Sequence, residues 1–269
     1  MKILVLASAA LMFGAFQASA QVISSGGSIA LNWDQCYGDG AINNKVFACD
    51  TNTGFDEFVI SATLPTDIPA VVAMQADIFL MSSGASLAPW WNLATGCRSG
   101  PPSALHASFD FTTDPASSCL DPWQGAASGG STYTSGFPSP NGARAQMVCA
   151  VAAPVAVLAG RELRVAKVVI NHSKTVGAGA CAGCSDPMCI VLRIVEFDQN
   201  PGLGNSFLVQ PKAGTNSDLL TWQPGVTPQR TFVDCDPGQN PHSCEKTLQC
   251  VSVTPTSRST WGAIKSMYR

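Results

Sequence analysis

From Leu105 to Thr112 the chain alternates, with Leu105, Ala107, Phe109 and Phe111 on one side and His106, Ser108, Asp110 and Thr112 on the other. A period of two belongs to a strand with one wet face. Residues 28–33 alternate in the same way over a shorter span, and 58–64 and 71–80 are β-prone runs set apart by Pro65 and Pro69. Further strands are predicted over 144–153, 161–171, 189–198, 205–210 and 218–223. Residues 125–142, rich in glycine and serine, read as an exposed loop holding a short strand near Tyr133. Helical periodicity is nearly absent until the end of the chain. There Trp261, Ile264 and Tyr268 recur at helical spacing behind Ser259 and Thr260, either of which can cap a short helix.

Strands at intervals of roughly 10 to 25 residues, punctuated by Gly, Pro and Ser, predict an all-β fold rather than βαβ units. The expected architecture is an antiparallel β-sandwich, immunoglobulin-like or jelly-roll-like, disulfide-stapled and spanning 21–223. From about residue 224 the apolar pattern fades, so 224–258 reads as a cysteine-containing tail and 259–269 as a short amphipathic helix. Such a helix is too short to stand alone in water and needs a partner. That partner is either the parent domain or a surface or export receptor that takes the face of Trp261, Ile264 and Tyr268.

Composition narrows the setting. Of 269 residues 46% are hydrophobic and only 12% charged, with 24 Gly and 18 Pro. Charge is therefore at about half the usual level, and disorder driven by charge is excluded. A formal net charge of −3 gives no nucleic-acid footprint and no polybasic membrane patch. Lys2, an apolar stretch from Ile3 to Phe16 and the ending Ala18-Ser19-Ala20 form a secretory signal pattern over 1–20, with cleavage after Ala20. No later apolar run is long enough to span a bilayer, so no membrane insertion is expected after cleavage. The predicted destination is outside the cell or in a periplasm.

All eleven cysteines follow the leader, as suits an oxidising compartment. An odd count leaves one thiol over. Cys149 is the best candidate, because Ala145, Met147, Cys149 and Val151 form the apolar face of a strand. Proximity favours Cys36–Cys49 and Cys97–Cys119 bridges. The remaining six stand as Cys181, Cys184, Cys189 and Cys235, Cys244, Cys250, so with all six oxidised at least one bridge must join the two groups. Read as metal chemistry, Cys181-Ala-Gly-Cys184 with Cys189 lacks a fourth ligand, for which His172 or a tail cysteine would serve. Structural disulfides are the better reading, and no cofactor is expected.

Candidate chemistry is sparse. His106, His172 and His242 are the only histidines, and no nucleophile elbow, zinc helix or phosphate loop is present. Asp50, Asn52 and Asp56 place oxygen ligands at alternate positions, as calcium loops do, but the EF-hand pattern fails at its glycine and its final glutamate. Among Trp33, Trp90, Trp91, Trp123 and Trp222, the adjacent Trp90 and Trp91 would point to opposite faces of a strand. Trp90, Trp91 and Trp123 are thus weak candidates for stacking on a sugar. Asn171-His-Ser173 is a glycosylation sequon, meaningful only in a eukaryotic source.

Several segments resemble a group of uncharacterised secreted, cysteine-containing β proteins predicted from environmental bacterial genomes. They are Leu31-Asn-Trp33 with Cys36, Val46 to Gly54, Pro89-Trp-Trp-Asn92 with Cys97, Lys174 to Cys184 with Cys189 to Leu192, and Trp261 to Arg269. The resemblance spans most of the chain and implies no activity, ligand or catalytic residue. Cys149 and the spacing of Cys235, Cys244 and Cys250 depart from its pattern. The expected function is a non-catalytic structural, surface or partner-binding role. The alternatives are a carbohydrate- or ligand-binding module using exposed Trp, and a secreted hydrolase.

Overall fold

The computed structural model describes residues 27–100, 103–200, 206–211, 215–231 and 247–253. The expected leader (1–20), the expected C-terminal helix (259–269), His242, Cys235 and Cys244 lie outside the described residues. Strands dominate: β1 (Ser28–Trp33), β2 (Asn44–Lys45), β3 (Phe55–Thr63), β4 (Ile68–Ser82), β5 (Leu105–Ser108), β6 (Ala127–Ser135) and β7 (Gly142–Val157). They are followed by β8 (Glu162–Asn171), β9 (Met188–Gln199), β10 (Phe207–Val209), β11 (Leu219–Trp222), β12 (Val226–Thr231) and β13 (Thr247–Ser252). No α-helix occurs among the described residues, only a 3-10 turn at Tyr37–Asp39.

The strands form two main sheets and one ribbon. The smaller sheet runs β1-β3-β8-β5; the larger runs β2-β11-β9-β4-β7-β6, with β10 also paired to β9. Pairing is antiparallel except where β11 meets β2, so the larger sheet is mixed. One hydrophobic core joins both sheets. It takes Ile29, Leu31, Phe58 and Ile60 from the smaller sheet and Met74, Ile78, Met147, Ile190 and Leu192 from the larger. Burying such side chains is worth ~1.5–3 kcal/mol each against the entropy of ordering the chain. Cys149 sits in this core at 1% exposure, on the β7 face that also carries Ala145 and Met147, and it stands unpaired. Burial pushes its thiol up to about 12.

A second, smaller core lies on the other face of the larger sheet. Phe79, Met81, Val191 and Leu219 there meet Val226 and Leu248 of the β12–β13 ribbon, and Cys189 bonds Cys250. The faded pattern after residue 224 thus hides two strands. A ribbon with one buried face needs only a few apolar positions, and Pro228 within β12 removes a usual strand signal.

The pairings expected from proximity, Cys36–Cys49 and Cys97–Cys119, do not form. The bridges are Cys36–Cys119, Cys49–Cys184, Cys97–Cys181 and Cys189–Cys250, separated by 83, 135, 84 and 61 residues. Sheet topology decides this, because strands distant in sequence become neighbours and deliver their flanking loops to the same place. Residues 125–142 also differ from expectation: the short strand near Tyr133 is the nine-residue β6, paired along its length with β7. The predicted 105–112 strand stops at Ser108, although Phe109 and Phe111 still bury their rings.

Candidate functional site

Three loops converge where β3 and β8 end. Phe55 pairs Asn171, and the His172 amide then donates to the Gly54 carbonyl at 3.1 Å, which fixes the His172 ring beside the 45–54 loop. The ring stacks on Phe47 with centroids 3.9 Å apart. Its Nδ1 lies 3.0 Å from the Thr53 carbonyl and its Nε2 lies 2.9 Å from Asp56 Oδ2. A carbonyl can only accept, so Nδ1 carries a hydrogen. Asp56 Oδ1 meets Lys45 Nζ at 3.0 Å, and Lys45 continues to Asp34 at 2.7 Å. Burial pulls the Lys45 ammonium down, but the two carboxylates outweigh it and the net shift is up.

An aspartate–histidine pair is half of a catalytic triad, which also needs a free ring nitrogen facing a nucleophile. Here both nitrogens are engaged by oxygens of the loop itself. The pair works as a clamp between the start of β3 and the end of β8.

Beside it lies a buried cation. Arg98 is 3% exposed, with its guanidinium 3.6 Å from the Trp90 ring centroid. It donates to the Trp90 carbonyl at 3.1 Å and to both the carbonyl and Oδ1 of Asn171. Burial lowers its ionisation to about 10. The ring face and the carbonyl dipoles replace a carboxylate here. Trp90, Trp91 and Trp222 pack together, with Trp90 and Trp222 centroids 5.4 Å apart and Trp91 and Trp222 5.5 Å apart. Tyr133 reaches this cluster from β6 and donates to the Trp91 carbonyl at 2.6 Å. Burial raises its phenol.

The candidates singled out in the sequence divide accordingly. Trp90, Trp91 and Trp123 are all buried, at 0%, 0% and 1% exposure, so none offers a face to a sugar. Trp90 and Trp91 occupy a turn rather than a strand, so alternation does not separate them. Trp123 points its indole N–H to the Val165 carbonyl at 2.9 Å. Asn52 does not face a cation: its Oδ1 accepts from the Thr175 and Val176 amides at 2.7 and 2.9 Å, and its Nδ2 donates to the Val176 carbonyl. With Asp56 held by His172 and Lys45, Asp50, Asn52 and Asp56 do not converge, and no metal cluster occurs among the described residues. Cys181, Cys184 and Cys189 go to three different partners instead of one metal. The Asn171 side chain of the sequon is occupied by Arg98, Ser103 and Ser173.

One further feature leaves almost no trace in the residue pattern. A cleft of about 210 Å³ opens over the side of β1 and β3 that faces away from the core, lined by Ser28, Ala30, Ser61, Thr63, Tyr37, Glu162, Thr215 and Ser217. Glu162 is committed at its rim, accepting from the Tyr37 and Gly38 amides at 2.9 and 2.8 Å. Its lining comes from five separate segments, and only the alternation Ser28, Ala30 against Ile29, Leu31 hints at a polar face there.

Compared with models of protein families, with curated proteins and with solved structures, the chain matches none. No helix among the described residues is long and apolar enough to cross a membrane.

Proposed function

We propose that the chain is an exported β-sandwich, immunoglobulin-like or jelly-roll-like, with a structural, surface or partner-binding role and no catalytic centre. The observation that carries this reading is the inward use of its chemistry. His172, Arg98, Trp90, Trp91, Trp222 and the Cys49–Cys184 and Cys97–Cys181 bridges brace three loops rather than converge on a space where a substrate fits. Four long-range bridges suit an oxidising compartment. Expression with the leader tests export: the released protein should begin at Gln21 with its bridges formed. Retention inside the cell with reduced thiols would contradict it. A broad hydrolase screen tests the absence of catalysis, and an activity lost on His172→Ala at unchanged stability would overturn the reading.

A second reading is favoured by the hydroxyl-lined cleft: a small polar ligand, such as a carbohydrate unit, held by hydroxyls instead of exposed Trp. At about 210 Å³ the cleft lies below the ~300–1,000 Å³ of ordinary ligand sites, so it suits a ligand no larger than one or two sugar units. Calorimetric titration with simple sugars, compared with Ser61→Leu, tests it.

The expected C-terminal face of Trp261, Ile264 and Tyr268 has either the parent domain or a surface or export receptor as its partner. Deleting 259–269 decides its partner: lost stability with normal export assigns the segment to the parent domain, and unchanged stability with misplaced protein assigns it to a surface or export receptor.

A further inference from the structure

We propose that β6 is a self-association edge, at which two copies of this chain pair antiparallel and join their larger sheets into one. The proposal stands apart from the export reading and is tested on purified protein.

An edge strand presents a row of unpaired N–H and C=O groups, which proteins ordinarily blunt with short length, charge, proline, a bulge or a covering loop. Among the described residues the other edges of the two main sheets are blunted. Along β1 the Leu31 amide donates to the Ser217 carbonyl at 2.7 Å, Ser217 Oγ donates to the Ile29 carbonyl at 3.0 Å, and the Trp33 amide donates to the Ile42 carbonyl at 3.1 Å. β5 has four residues, β10 three, and β2 only two, one of them Lys45.

β6 is not blunted by shortness, charge, proline or a bulge, and β5 of the smaller sheet lies near it without pairing to it. The β6 strand runs nine residues beside β7 without a register shift, from Ala127 opposite Val151 to Ser135 opposite Ala143. Ser128, Gly129, Gly130, Thr132 and Thr134 are exposed, and no charged residue or proline occurs from Gly125 to Gly136. Among the described residues its backbone pairs on the β7 side alone.

The strand also fits itself. Its first half is small, Ala127-Ser-Gly-Gly130, and its second is larger, Thr132-Tyr-Thr134. Antiparallel pairing about Ser131 sets Thr132 opposite Gly130, Tyr133 opposite Gly129 and Thr134 opposite Ser128. Thr132 then lies over Gly130 and the Thr134 and Ser128 hydroxyls face across the strands, while the Tyr133 ring stays turned into its own chain toward the Trp91 carbonyl. With no charge on the strand, two copies meet without repulsion. A two-fold axis through Ser131 makes the contact self-complementary and closed, so it ends at a dimer.

Sedimentation equilibrium of the oxidised protein tests this with two variants. A Cβ at Gly130 meets nothing within 4 Å and Thr132 is exposed, so both positions accept side chains, and thermal unfolding should match the wild type. The wild type should dimerise. Gly130→Lys with Thr132→Lys sets lysine against lysine twice and should weaken the dimer roughly ten- to hundredfold. Gly130→Glu with Thr132→Lys sets opposite charges at the same places and should restore it. A wild type that stays monomeric at its highest soluble concentration would overturn the proposal. So would a dimer indifferent to the lysine pair, or a charge-paired variant that does not recover.

Discussion

The clamped end around Trp90 and the margin formed by β6 solve opposite problems. At the clamped end, loops without sheet partners are held by two bridges, a histidine clamp and a buried guanidinium. At the β6 margin the backbone ladder to β7 does the holding, with no bridge and no charge on the strand. Covalent and ionic bracing goes where backbone pairing is missing. Where pairing is present, side chains are free to be small and neutral, and what is left over is an unpaired row of peptide groups. Residue types usually read as catalytic or ligand-binding therefore gather at the end with the structural task, whereas the surface open to a partner is built from serine, threonine and glycine.

The largest expected effect breaks the clamped end. Replacing Cys49 and Cys184 by serine reopens a 135-residue span and should cost ~4–5 kcal/mol in the chain-entropy model, read from urea unfolding. A small change would mean that hydrogen bonds alone hold these loops. Arg98→Leu keeps an apolar contact with Trp90 but strands the Trp90 and Asn171 carbonyls, and should cost ~2–3 kcal/mol. The same substitution on an exposed arginine should cost almost nothing.

A smaller effect concerns Cys149 beneath β7. Its folded ionisation is raised to about 12 from an ordinary 9.0, so the unfolded chain loses this proton first. Stability from this group is complete below pH 9 and is lost progressively from there to about 12. Between pH 8 and 10 the wild type should lose ~1.5 kcal/mol more than Cys149→Ala. An equal loss in both would remove the buried-thiol account. In the native protein Cys149 should also resist thiol reagents.

The smallest effect is a matter of pairing. With eight cysteines bridged and Cys149 buried, Cys235 and Cys244 remain, and non-reducing peptide mapping should find them bonded to each other. Both alkylated in the oxidised protein would refute that.

The same contrast explains what could be read from the sequence. Strands with buried or alternating faces announce themselves: β1 matches its expected span, β8 falls within one residue of its own, and β4, β7 and β9 extend theirs by a few residues. β6 shows little of its length in the sequence because an edge strand with mostly exposed residues has little reason to alternate. β2 is two residues beside Trp222 and leaves no periodic trace. The disulfide pairings depend on strand order, which spacing does not encode. Trp90 and Trp91 lie in a turn, where alternation does not hold, and nothing local to His172 marks its partners Thr53 and Asp56, more than a hundred residues away.

Amide hydrogen exchange across a concentration series tests the contrast most directly. The Trp90, Asn92 and Cys181 amides, bonded within the clamped loops, should be protected equally at every concentration. Alternate amides of 127–135 should exchange fast when dilute and slow as the protein concentrates and the second copy takes up the edge. Concentration-independent exchange along β6, or clamped loops that open as readily as that edge, would contradict the account.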